Sequence, residues 1–222
     1  MLILGIDDAG RGPLIGPMIL AGVLVNEEHE KFLKAQGVRD SKTIFHPIRI
    51  KIAKIIKENS LKSKVMITHP EEIDNSINSG TNLNTLEAIK TAEIINSLNT
   101  GKEKMKIIVD CPSVNIPAWR KTLVSYIKNS DNLEIICEHK ADVNHVSVSA
   151  ASILAKCTRE EEVKKLKEKY GDIGSGYPAD PVTVRFLKKH GKELKDSGIF
   201  RKTWATWKAL FPSKDQSTLK DF

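Results

Sequence analysis

Asp7, Asp8, Asp110 and Asp142 are the residues through which this 222-residue chain could do chemistry. Asp7 and Asp8 close one apolar run, residues 2–6, and Asp110 closes another, residues 105–109. An unpaired charge at the end of a buried run is costly. Crowded carboxylates also raise one another's pKa values, so a dedicated cluster of them implies cations. Carboxylate and water oxygens suit Mg²⁺ or Mn²⁺ rather than zinc. Two such ions, about 3.5–4 Å apart, clamp the attacking and leaving oxygens of a phosphodiester during in-line displacement. Asp142 stands at the turn into a long helix, where it could join this group or only cap the helix. Asp8 is awkward, because neighbours in a strand point to opposite faces. Asp7 and Asp8 serve one site only if the strand ends or twists there, as the following glycines would permit.

The turn Gly10-Arg11-Gly12 comes next in the chain. It can bring backbone groups close to a ligand, or it is a plain tight turn. Lys42, in Asp40-Ser41-Lys42, is a phosphate contact or part of a surface turn, and Ser41 could add its hydroxyl. His139 and His145 are metal ligands, acid–base groups or helix-end residues. Tyr177 lies between Gly176 and Pro178 in a Gly-rich loop. A rigid aromatic there can stack on a sugar or base, or anchor the loop. Trp204 and Trp207 are expected to pin a C-terminal helix.

The elements that must position these groups follow from hydrophobic period. Strands are expected over 2–7, 18–25, 63–68, 105–110 and 133–137. Helices are expected near 27–35, 46–59, 70–78, 83–98, 117–128 and 145–169. The last of these has a small, apolar first half and a charged second half. Asp180-Pro181 reads as an N-cap and first helical position for a helix to about 190. Residues 212–222 are expected to be loose. Strands and helices alternate first and helices follow, which predicts an α/β fold with a mixed sheet and a helical C-terminal part.

The balance of 35 Lys and Arg against 28 Asp and Glu gives a net charge of +7. That favours an anionic partner, nucleic acid first. Cys111, Cys137 and Cys157 are widely spaced and form no zinc motif, so they read as free thiols. No apolar run approaches the roughly 20 residues of a membrane span. The expected setting is the cytoplasm, and nothing demands more than a monomer.

Together these segments resemble the ribonuclease HII family, in its archaeal branch by length. The resemblance spans about residues 2–210. It is carried in order by GIDDAGRGP at 5–13, DSK at 40–42, VDCP at 109–112, HKAD at 139–142, VSAASILAK at 148–156 and GSGYPADP at 174–181. It implies a ribonuclease H-like fold, with a catalytic domain over 1–180 and a helical extension over 181–222 packed on it. The implied activity is endonucleolytic cleavage of the RNA strand of RNA–DNA hybrids. Cleavage 5′ to single ribonucleotides embedded in duplex DNA is implied as well, leaving 5′-phosphate and 3′-hydroxyl ends. The family's metal-binding acids fall on Asp7, Asp8, Asp110 and Asp142. Its ribose-sensing turn falls on Gly10, Arg11 and Gly12, and its junction tyrosine on Tyr177. Arg11, Lys42 and Lys140 would hold phosphates. The family usually has Glu where this chain has Asp8, an arm shorter by about 1.5 Å. A related nuclease acting on another duplex, or a non-catalytic hybrid-binding module, are the alternatives.

Overall fold

A computed structural model describes residues 1–212 apart from the side chain of Lys42. The terminal segment expected to be loose therefore lies almost wholly outside the described residues. The elements, in order, are β1 (Leu2–Ala9), β2 (Met18–Val25), α1 (Glu27–Ala35), a 3₁₀ turn (Ser41–Thr43), α2 (His46–Asn59), β3 (Lys62–Thr68), α3 (Pro70–Asn78), α4 (Leu83–Leu98), β4 (Met105–Asp110), α5 (Ile116–Ser125), β5 (Leu133–Glu138), α6 (Ala141–Asn144), α7 (Val146–Tyr170), α8 (Pro181–His190) and α9 (Ala205–Leu210). They divide into two compact units, neither continuous in sequence.

The first unit comprises residues 1–9, 19–67 and 82–159. Its five-stranded sheet has the order β3-β2-β1-β4-β5. β1 pairs antiparallel with β2, and parallel with β4, which pairs parallel with β5. The sheet is therefore mixed, with helices on both faces. β2 is buried along its whole length, as its unbroken apolar run requires for an interior strand. Ile3, Ile19, Ala21, Val23 and Ile108 share one core with Val148, Ala151 and Leu154 of α7 and with α1 and α2. Leu4 and Ile6 alternate to the opposite face, where Gly22 leaves space for Ile94 of α4. The small residues of α7 let it lie directly on β1. Of the three thiols, Cys111 is buried. Burial, then the Cys111 thiol nearby, pushes the Cys137 thiol up to about 12.

The second unit comprises residues 10–18, 68–81 and 160–222. Leu14, Ile15, Ile173, Phe186, Leu187, Phe200 and Trp207 form its core. Trp207 stacks 5.0 Å from Phe200 and 4.6 Å from Phe211, centroid to centroid. Asp180 caps α8 by accepting from the Val182 N–H at 2.9 Å. It also accepts from the Ser175 N–H at 2.6 Å. Hydrogen bonds from Ser175, side chain first, lower the Asp180 carboxyl to about 2. No helix among the described residues is long and apolar enough to cross a membrane.

Candidate active site

β1 and β4 lie side by side in parallel, with Ile6 opposite Val109. One step further, Asp7 and Asp110 project from adjacent strands to the same face. The third acid arrives by a sharp turn. Lys140 adopts a left-handed conformation, φ 60° and ψ 34°, and starts the four-residue α6. A non-glycine residue there is uncommon and stores strain. The turn aims the Ala141 N–H at Asp110 Oδ1, 3.2 Å away. It also buries Asp142 in the same region, 2% exposed. One carboxylate oxygen from each of Asp7, Asp110 and Asp142 lies within 4.8 Å of the others.

Burial, followed by the charge of Asp8, raises the Asp7 carboxyl well above its ordinary range. Asp110 pushes the same way more weakly, while the Ser152 hydroxyl and the Asp8 N–H pull it down. The latter bond is 2.7 Å. Three convergent carboxylates, with Asp7 held above its ordinary range, suit a hard divalent cation. Neither expected histidine joins them: His145 Nε2 meets Glu138 Oε1 at 2.9 Å, and His139 Nδ1 meets the Cys111 carbonyl at 3.0 Å.

Asp8 stands apart from this trio. β1 does not end at Asp7; its ladder to β2 continues through Asp8 opposite Leu20 and Ala9 opposite Ile19. Strand alternation therefore sends Asp8 to the face that carries α4. It lines a narrow cavity of about 10 Å³ with Asp7, Asp110, Glu87, Thr91 and Trp119. Glu87, on α4 and 2% exposed, was not singled out in the sequence. A lone Glu within a helical apolar pattern carries no signal of that kind.

Beneath Asp7 lies a polar chain that motif reading also missed. Ser152 Oγ is 3.0 Å from Ser41 Oγ, and Lys156 donates to both hydroxyls. Ser41 is fully buried, so its hydroxyl is spent here rather than on a phosphate. Ser152 and Lys156 are one helical turn apart on α7, which accounts for two residues of the 148–156 motif. The side chain of Lys42 lies outside the described residues.

Of the expected substrate residues, Lys140 belongs to the first unit, and Gly10, Arg11, Gly12 and Tyr177 belong to the second. Gly10 has φ 80°, in the region that favours glycine. Gly12 is exposed and Arg11 half-buried. Tyr177 is 40% exposed and its ring covers Gly12: a Cβ on that glycine would lie 3.5 Å from Tyr177 Cε1. The Leu14 and Ile15 N–H groups donate to the Gly176 carbonyl at 2.8 and 3.1 Å, tying the turn to the tyrosine loop. Arg201, fully buried, and Trp204 hold the carbonyls of the turn. Trp204 thus does more than pin α9.

Comparison with known proteins agrees with this fold. The family model described as ribonuclease HII matches residues 4–207. A curated ribonuclease HII from Methanococcus maripaludis strain C6 is 40% identical over 219 residues, 98% of this chain and 90% of the relative. The crystal structure of ribonuclease H2 from Pyrococcus horikoshii OT3 is similar with a TM-score of 0.85 at 35% identity, covering 100% of both chains. A ribonuclease HII from Archaeoglobus fulgidus, solved in complex with PCNA, is similar with a TM-score of 0.80 at 35% identity. That match covers 92% of this chain and 95% of the other.

Proposed function

The chain belongs to the ribonuclease HII family, and from that premise we propose how its residues act and which substrates they accept. As a type 2 ribonuclease H it is an endonuclease that cleaves the RNA strand of RNA–DNA hybrids. Its further activity is nicking duplex DNA on the 5′ side of a single embedded ribonucleotide, leaving 5′-phosphate and 3′-hydroxyl ends. The observation that carries the catalytic reading is the convergence of Asp7, Asp110 and Asp142 within 4.8 Å.

These three carboxylates would hold divalent cations, Mg²⁺ or Mn²⁺, with Asp8 completing the set. When bound, such ions supply an acidified water and neutralise charge at the phosphate. Asp7 needs its charged form to bind them, and the Ser152 hydroxyl and Asp8 N–H favour that form. The Gly10–Gly12 backbone reads the 2′-hydroxyl, the atom that separates RNA from DNA. Tyr177 packs against the neighbouring deoxyribose. Arg11, Lys42 and Lys140 hold phosphates, which makes binding salt-dependent. The test is a labelled DNA duplex with one ribonucleotide, incubated with Mn²⁺ and separately with Mg²⁺. A single nick 5′ to the ribonucleotide is the expected product. Cleavage of an RNA–DNA hybrid with that duplex left intact would remove the embedded-ribonucleotide activity.

Position 8 bears on metal preference. A one-methylene change exceeds the roughly 0.5 Å that such sites tolerate. Asp8→Glu is expected to shift the rate in Mg²⁺ relative to Mn²⁺ by about tenfold or more. Equal rates for both proteins in both metals would show that the arm's length is immaterial.

The Archaeoglobus fulgidus relative was solved with PCNA, and we extend that partner to this chain. Gln216, Leu219 and Phe222 recur at every third position near its end. Leu219 and Phe222 are two apolar side chains of the kind that anchor a segment in a hydrophobic groove. Replacing Leu219 and Phe222 together by Ala is expected to weaken binding to PCNA by about 30-fold or more. Cleavage of a short hybrid without PCNA is expected to stay unchanged. Calorimetry showing equal affinity for both proteins would place the contact elsewhere.

A further inference from the structure

The Gly10–Gly16 turn is held from below by one short C-terminal segment of the same unit. Arg201 Nη2 donates to the carbonyls of Gly10 at 2.6 Å and Gly16 at 2.9 Å. Its Nη1 donates to the Arg11 carbonyl at 2.6 Å, and its Nε to Gly16 at 3.1 Å. Trp204 Nε1 donates to the Gly12 carbonyl at 3.1 Å. The backbone joins in: Arg201 N–H meets the Leu14 carbonyl at 2.9 Å, and Gly16 N–H meets the Ile199 carbonyl at 3.0 Å. The guanidinium also lies 4.9 Å from the Trp204 ring.

The segment is itself fixed. Asp74, 8% exposed, accepts from Lys202 N–H at 2.6 Å, Thr203 N–H at 3.0 Å and Thr203 Oγ1 at 2.6 Å. Arg201 and Trp204 therefore leave a backbone anchored between them. A fully buried guanidinium is expensive to desolvate. Here its rigid fork is spent on three main-chain carbonyls of one turn, those of Gly10, Arg11 and Gly16. A lysine ammonium, a point charge, cannot match that geometry.

The consequence lies on the other side of each peptide plane. In a trans peptide the C=O and the following N–H point in opposite directions. Turning the Gly10 carbonyl toward Arg201 turns the Arg11 N–H away from it. Turning the Arg11 carbonyl inward does the same for the Gly12 N–H. The Gly12 carbonyl is followed by Pro13, which has no N–H to direct. The outcome is two adjacent donors aimed away from the core, beside the Tyr177 ring that covers Gly12.

We propose that Arg201 and Trp204 are positioning residues for the turn, Arg201 setting the direction of the Arg11 and Gly12 N–H donors through the Gly10 and Arg11 carbonyls and Trp204 fixing the Gly12–Pro13 peptide that ends it, and that together they set how strongly the turn prefers a ribonucleotide over a deoxyribonucleotide. This rests on the reading above that the turn senses the 2′-hydroxyl. It explains why a distant C-terminal segment is built around the carbonyls of an N-terminal turn. The acids of the first unit take no part in it.

The test uses the full chain with Trp204→Phe, which keeps the ring and removes only its N–H, and with Arg201→Lys. Three quantities are measured: kcat and KM on the duplex with one ribonucleotide, the affinity ratio between that duplex and its all-DNA counterpart, and Mn²⁺ binding by calorimetry. Trp204→Phe is expected to raise KM and lower the affinity ratio about five- to tenfold, the scale of one hydrogen bond. Arg201→Lys is expected to lower the ratio further. Mn²⁺ affinity is expected to match the wild type in both. An unchanged ratio in Trp204→Phe, with the wild type cutting normally, would overturn the proposal even if Arg201→Lys fails to fold. A merely structural role would lower the melting temperature and leave the ratio alone, which also overturns it. A wild type that does not discriminate between the two duplexes would sink the ribose-sensing reading itself, and this inference with it.

Discussion

Asp7→Asn is expected to lower the cleavage rate on the order of 1000-fold or more while hybrid affinity stays within about threefold. Asn keeps the shape and loses the charge, so the three-acid group becomes two acids and an amide. Cation-assisted stabilisation of a phosphodiester transition state is worth several kcal/mol, and each 1.36 kcal/mol is tenfold in rate. Phosphate contacts elsewhere supply the binding, so affinity survives. Turnover near the wild-type rate in Mg²⁺ and Mn²⁺ would remove Asp7 from the catalytic set.

The same substitution has an opposite effect on stability, and the sign follows from proton linkage. Burial first, then Asp8 and Asp110, raise the Asp7 carboxyl in the folded protein. The unfolded value is about 3.9. The folded state therefore holds this proton more tightly than the unfolded chain. Its contribution to stability is complete below about pH 4 and is lost as pH rises through the elevated folded value. At neutral pH, without metal, ionised Asp7 is a net cost. Asp7→Asn is thus expected to melt higher than the wild type at pH 7 to 8 in a chelator. The gap should close toward acid pH, and saturating Mg²⁺ or Mn²⁺ should raise the wild type more than the variant. Equal metal-free melting temperatures at pH 8 would contradict the strained state of this carboxyl.

Much of this arrangement was legible in the chain. Apolar runs ending in acids located β1 and β4 and, with them, Asp7 and Asp110, because burial and charge are written residue by residue. The alternation of elements predicted the mixed sheet and the helical end. The limits have equally physical causes. Where β1 stops could not be read, since Asp8 and Ala9 are poor strand formers held there by pairing with β2. That two-residue continuation is what separates Asp8 from the other three acids. Arg201, Ser152 and Lys156 look like ordinary helix and loop residues. Their roles exist only through partners more than a hundred positions away, as with Arg201 and Gly10 or Lys156 and Ser41. Lys140 offers no local sign of its left-handed backbone either, because tertiary packing and not its side chain imposes it.

Gly5→Ala is expected to damage both fold and site, and it tests how β1 carries Asp7. A Cβ on Gly5 would stand 2.2 Å from the Ser147 carbonyl carbon, 2.4 Å from its oxygen and 2.4 Å from the Val148 nitrogen. All three are backbone atoms, so no rotamer change relieves the overlap, and β1 and α7 must separate. Overpacking of this kind costs about 3 kcal/mol or more. For a chain of this size that corresponds to a melting temperature lower by about 10 °C. Gly22→Ala is the control. Its Cβ would meet Ile94 Cγ2 at 2.5 Å, a side-chain methyl and not a backbone atom, which a small shift of α4 relieves without parting β1 from α7, so a smaller loss is expected. The site should suffer in step. Gly5 lies two residues before Asp7 on the same face of the strand, while the displaced end of α7 follows directly on α6, which carries Asp142, and leads to Ser152. Mn²⁺ affinity is therefore expected to fall about tenfold or more in Gly5→Ala and to hold in Gly22→Ala. A Gly5→Ala protein that melts and binds Mn²⁺ like the wild type would mean that β1 and α7 are not in backbone contact, and that the acids are positioned by something other than that contact.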